Sequence, residues 1–80
     1  MNKIYELHVS IKYLSGNMKG TKYTRAHGRS KDLNKLICIA REGVGTKHKS
    51  ALGMTYLIEQ IQIIQIRPVC EVLETFKANK

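Results

Sequence analysis

A chain of 80 residues makes one domain with a single modest core, and at that size stability is thin enough for association with a partner or a second copy to be expected. Its 42% hydrophobic content excludes a disordered chain, while its apolar runs fall far short of the roughly 20 residues that a membrane-spanning helix needs. The net charge is +8, and the excess lies wholly in residues 1–50, which hold eleven basic and three acidic residues; such a field suits a polyanionic or acidic partner.

Tyr5, Leu7, Val9, Ile11 and Tyr13 alternate with Glu6, His8, Ser10 and Lys12, which predicts a half-buried strand with its odd residues in the core. The same alternation leaves no apolar block for a signal peptide, so a cytoplasmic location is expected. Ser15 to Gly20, SGNMKG, supplies residues that tolerate positive φ and predicts the turn of a hairpin. Beyond it, Tyr23, Arg25, His27 and Arg29 alternate with Thr24, Ala26 and Gly28. Period two assigns the small residues to a face beneath a helix and turns the four large ones outward.

Ser30 stands where an N-cap belongs, and Leu33, Leu36, Ile37 and Ala40 follow at i, i+3, i+4 and i+7, predicting an amphipathic helix from about Lys31 to Glu42 that stops at Gly43. Gly43 to Gly53, with Lys47, His48 and Lys49, is then a mobile basic loop. Met54 to Arg67 predicts a third strand with a bulge near Ile63 and Ile64, or buried on both faces at that end, a helix through Leu57, Ile58, Ile61 and Ile64 being the alternative. Gln60, Gln62 and Gln65 are expected on the open sheet face. After Pro68, the spacing of Val69, Val72, Leu73 and Phe76 predicts a short terminal helix.

The resulting expectation for residues 1–80 is one α+β domain. It has a three-stranded, mostly antiparallel sheet with one helix packed on one face, in the order β-β-α-β, and a short C-terminal helix. The open sheet face carries Tyr23, Arg25, His27 and Arg29 beside His8 and Lys12. With Lys31, Lys35, Lys47 and Lys49, those four second-strand residues make up the expected partner-binding set.

Chemistry finds little support. Glu6, Asp32, Glu42 and Glu59 are scattered, Ser30 is better explained as a cap than as a nucleophile, and His27 lies between two arginines with no carboxylate to orient it. Cys38 and Cys70 lack CxxC spacing and are expected reduced and half-buried; His8, His27 and His48 lack ligand spacing. No enzyme activity, metal or cofactor is expected. Basic residues interleaved with aromatic ones suit phosphate contact and base stacking, but Tyr23 alone is a strong stacking candidate on the second strand, and no helix-turn-helix is visible.

The order of strand IYELHVSIKYL, turn GNMKG, strand KYTRAHG, capped helix SKDLNKLICIAREG and strand IEQIQIIQIRPV resembles that of very small phage-encoded inhibitors, among them anti-CRISPR proteins and inhibitors of bacterial RNA polymerase. The resemblance covers roughly residues 4–69 and carries no functional residue across. It implies non-enzymatic binding to a host protein or nucleoprotein complex, such as a CRISPR effector, in the cytoplasm of a bacterial host. The alternatives are a direct nucleic-acid binder making mainly phosphate contacts and a self-associating structural subunit such as a homodimer; no membrane partner is expected.

Overall fold

The computed structural model describes residues 2–78; Met1, Asn79 and Lys80, part of the single-domain expectation, lie outside the described residues. Five strands and one helix follow in the order β1 (Ile4–Tyr13), β2 (Lys22–Ser30), α1 (Leu33–Gly43), β3 (Lys47–Lys49), β4 (Thr55–Arg67) and β5 (Glu71–Lys77). All strands join one antiparallel sheet in the order β2-β1-β4-β3, and β5 pairs with β4. Because β3 meets Thr55 to Leu57 and β5 meets Gln60 to Gln65, the two short strands line up along β4.

The three-stranded sheet with a terminal helix is therefore wrong on two counts. Lys47 to Lys49 is a short strand, not loop, and Glu71 to Lys77 is strand, not helix. The second error has a definite cause. The β4–β5 register shifts between Ile63 and Ile64, paired with Glu74 and Val72, so Leu73 is an extra residue in β5. A bulge turns period two locally into a spacing of three. Leu73 and Phe76 can then both pack against the core, at a separation that imitates one turn of helix.

β4 is a single strand, as expected, but the residue that switches its parity is Glu59. Gln60 pairs with Ser10 and Ile58 with Ile11, which leaves Glu59 as the bulge, and a second shift follows at Ile66. Paired residues share a face. Ile63 and Ile61 thus lie with Leu7 and Val9 and, past the bulge, Ile58 and Tyr56 join them beside Ile11 and Tyr13. Gln60 and Gln62 face the open side with Ser10 and His8, as expected, whereas Gln65 pairs with Tyr5, is buried, and donates through Nε2 to the Val69 carbonyl at 3.1 Å.

α1 packs mainly on β4 and β1. Leu36 and Ala40 are buried with Tyr5, Leu7, Ile61 and Ile63, and Leu33 and Ile37 pack against them, so the predicted apolar stripe is the helix's core face. The cap is Asp32 rather than Ser30: its Oδ1 accepts from the Lys35 N–H at 3.2 Å. Ser30 ends β2 opposite Tyr5, and its hydroxyl accepts from the Asp32 N–H, which delays the helix by two residues. Gly43 is helical, and a Cβ there would lie 3.3 Å from Ile61 Cδ1, so this glycine allows a close approach; the positive φ of +84° falls at Gly45. Cys38 and Cys70 are free and exposed rather than half-buried.

Candidate functional site: a basic-rimmed groove on the helix side of the sheet

β2 does not present one uniform face. Leu7 pairs with Gly28 and His8 with Ala26, so His27 is the extra residue of a β-bulge. On one side of it Arg29 lies opposite Glu6, on the open face; on the other, Arg25 lies opposite Val9 and Tyr23 opposite Ile11, on the helix side. The expected row of Tyr23, Arg25, His27 and Arg29 is thus split between the two faces, and strict alternation fails because one inserted residue reverses every side chain beyond it. Small Thr24 and Ala26 are turned to the open face, where the Thr24 hydroxyl meets that of Ser10 at 2.9 Å.

Arg29 is held by a carboxylate. Its Nε donates to Glu6 Oε2 at 2.7 Å, and His8 Nε2 lies 2.6 Å from Glu6 Oε1. The hydrogen bond from Arg29, followed by that from His8, holds the Glu6 carboxyl below its ordinary pKa against the opposing effect of burial. Lys22, paired with Lys12 on the same open face, reaches Glu59 Oε1 at 3.8 Å.

On the helix side the basic residues have a different setting. α1 is about 16 Å long and cannot cover strands of ten and thirteen residues, the longer of which extends about 40 Å. Beside Ile39 and Gly43 of α1, the uncovered part of the sheet forms a hollow of about 540 Å³. Its floor is Val9, Ile11 and Ile58, closed at the far end by Tyr13 and Tyr56. Arg25 and His27 of β2 form one bank, and β3 forms the other with His48 turned to the groove; Lys49 borders it, but opposite Thr55 it has the parity of Lys47 and its side chain belongs to the open face. No carboxylate lines it, and among the described residues neither Arg25 nor Lys49 makes a salt bridge.

The aromatic end of the groove is ordered. Tyr13 meets Tyr56 edge to face at 6.1 Å, and His48 stacks on Tyr56 at 5.6 Å. The Thr46 hydroxyl donates to the Gly43 carbonyl at 2.6 Å, which leaves its lone pairs to accept from His48 Nε2 at 2.8 Å. Tyr23, 52% exposed, and Ile39, 43% exposed, add apolar surface around the mouth, and Leu52, next to the lining Ala51, is 85% exposed.

Of the residues expected to bind a partner, Tyr23, Arg25 and His27 gather around the groove. Lys47 lies opposite Leu57, which shares a face with Lys12, so it points to the open side, and Lys49, two residues on and opposite Thr55, does the same. Lys31 borders a separate hollow with Asn2, Ile4, Arg67 and Pro68, and Lys35 is exposed on the first turn of α1. Nothing matches this chain. Comparison with protein-family models, with curated proteins and with solved structures finds no significant similarity.

The floor was missed from sequence because its members read as ordinary core. One signal was available: a strand with apolar odd positions from Tyr5 to Tyr13 outruns the helix predicted to cover it. No helix among the described residues is long and apolar enough to cross a membrane.

Proposed function

We propose that this chain is a non-enzymatic binding protein that docks an acidic protein partner on the helix-side groove. In the manner of the very small phage-encoded inhibitors that its element order resembles, it acts by occupying a surface of a host nucleoprotein complex. One observation carries this reading. Arg25 on the helix side borders an apolar floor that no carboxylate lines, and among the described residues it makes no salt bridge, whereas Arg29 beyond the bulge is met by Glu6. A cation left uncompensated beside an apolar centre suits a binding patch, with desolvation in the middle and charge at the rim. Nucleic acid is the competing occupant, since Tyr23 could stack a base and Arg25 contact a phosphate; the aliphatic floor of Val9, Ile11 and Ile58 favours protein side chains.

Capture from bacterial lysate, with and without nuclease, tests the reading. The expected result is a salt-sensitive, nuclease-resistant partner that is lost with Arg25→Glu. It should be retained with Lys12→Glu, the same charge change on the opposite face. Retention that vanishes with nuclease assigns nucleic acid instead, and equal losses from the two variants remove the groove from the function.

A further inference from the structure

The open face of the sheet, turned away from α1, gathers lysines that folding does not account for. Lys22 of β2 pairs with Lys12 of β1, Lys12 with Leu57 of β4, and Leu57 with Lys47 of β3, so three lysines stand in one cross-strand row about 14 Å long. Lys49, opposite Thr55, flanks the row on one side, and Lys77 of β5, opposite Gln60, flanks it on the other. Like charges directly opposite each other destabilise a sheet. Lysines on outer strands guard an edge against pairing, but Lys12 belongs to a central strand, where no edge needs guarding. Glu59 reaches Lys22 at 3.8 Å; among the described residues Lys12, Lys47, Lys49 and Lys77 make no salt bridge.

The rest of that face decides what such a row can hold. Next to the lysines stand Ser10, Thr24, Gln60, Gln62 and Thr75, with Ser10 and Thr24 joined at 2.9 Å and Gln62 and Thr75 at 3.3 Å. The apolar pair Ile64 and Val72 comes at the opposite end, past His8. A protein partner takes its affinity from apolar and aromatic anchors at the centre of the contact, and this centre is polar. Phosphate and sugar oxygens accept hydrogen bonds from hydroxyl and amide groups and draw charge from lysine. All four tyrosines and the one phenylalanine lie on the helix side, so the one ring on the open face is that of His8, tied to Glu6 at 2.6 Å. Unpaired bases would find no stacking platform there, whereas a duplex offers its backbone and needs none.

We infer that the open face lies against the phosphate backbone of a nucleic-acid duplex, with Lys12, Lys22, Lys47 and Lys77 on phosphates and no base read. The inference goes beyond the groove reading and does not rest on it, because the groove and the lysine row lie on opposite faces of the sheet.

Fluorescence anisotropy of a labelled DNA duplex of about 20 base pairs, followed over a salt series, tests it. Affinity should fall with salt along a log–log slope of about −3 to −4, and Lys12→Ala/Lys47→Ala should make that slope shallower by about two units and weaken binding about ten-fold at low salt. Lys35→Ala/Arg41→Ala, the same loss of charge on the exposed surface of α1, should leave the slope unchanged and the affinity within about two-fold. Lys12→Ala relieves a like-charge pairing and should not lower the melting temperature; if it does, Lys47→Ala/Lys77→Ala takes the place of the first pair with the same expected loss. Equal losses from the open-face and α1 pairs, tighter binding of a single strand of the same sequence, or displacement of the duplex by polyglutamate at equal charge overturns the inference. So does the absence of duplex binding at about 50 mM salt. Failure here leaves the groove reading in place, since that is judged by the nuclease-resistant capture and its loss with Arg25→Glu.

Discussion

Arg29→Ala tests the division of β2 into two faces. In the folded chain Arg29 Nε donates to Glu6 Oε2 at 2.7 Å, with the Arg29 side chain 68% and the Glu6 side chain 13% exposed. A charge-assisted hydrogen bond in a dry site is worth about 1.5–3 kcal/mol, and a solvated surface ion pair about 0.2–1 kcal/mol. The exposure of the guanidinium places this pair near the top of the second range, so Arg29→Ala should cost about 1 kcal/mol at pH 7. In a domain of this size that lowers the melting temperature by about 4–8 °C.

The pH dependence fixes the cause. Glu6 is held below its ordinary pKa by Arg29 and His8, so its folded-state pKa lies below its unfolded one. A depressed carboxyl contributes stability that is fully present above the unfolded pKa and is lost as the pH falls through the folded pKa. The difference between wild type and Arg29→Ala, measured by urea unfolding, should be full at pH 7 and shrink as the pH falls below the ordinary carboxylate range and through the lowered pKa of Glu6. Arg25→Ala, with no carboxylate in salt-bridge range among the described residues, should show no such acid-dependent loss. An Arg29→Ala deficit that persists undiminished in acid would mean that Arg29 acts through packing, and an acid-dependent deficit in Arg25→Ala would place Arg25 beside Glu6 and refute the bulge at His27.

Three further outcomes check the fold. Asp32→Ala should cost about 0.5–2 kcal/mol in thermal or urea unfolding and exceed the cost of Ser30→Ala, since Asp32 is the residue that caps α1; the reverse order would return the cap to Ser30. Gly20→Ala should cost about 1 kcal/mol by the same assays despite open space around it, because its φ is +86°. Ile63→Ala, which empties a fully buried position of β4 in the core shared with α1, should cost about 2–5 kcal/mol, and a loss below 1 kcal/mol would show that the core lies elsewhere.

Several elements were legible from local pattern. The odd-numbered series from Tyr5 to Tyr13, the glycine turn after it and the stripe of Leu33, Leu36, Ile37 and Ala40 stand where period and turn chemistry put them. The candidate site was legible only in part. Arg25, His27 and Tyr23 came from charge and alternation, but their separation from Arg29, Lys47 and Lys49 did not. Nor did the union of Val9, Ile11 and Ile58 into a groove floor.

The chain by itself determined where polarity alternates and where charge accumulates, because both are properties of neighbouring residues. Only the tertiary structure decided which neighbours share a face. The bulges at His27, Glu59 and Leu73 each insert one residue against a partner strand, and a bulge exists only relative to that partner's register. Each reverses the alternation beyond it: at His27 this divides the basic row, at Glu59 it carries Ile58 and Tyr56 into the groove, and at Leu73 it gives a strand the apolar spacing of a helix. The groove likewise depends on a mismatch between separate elements, one short helix laid over strands too long for it to cover.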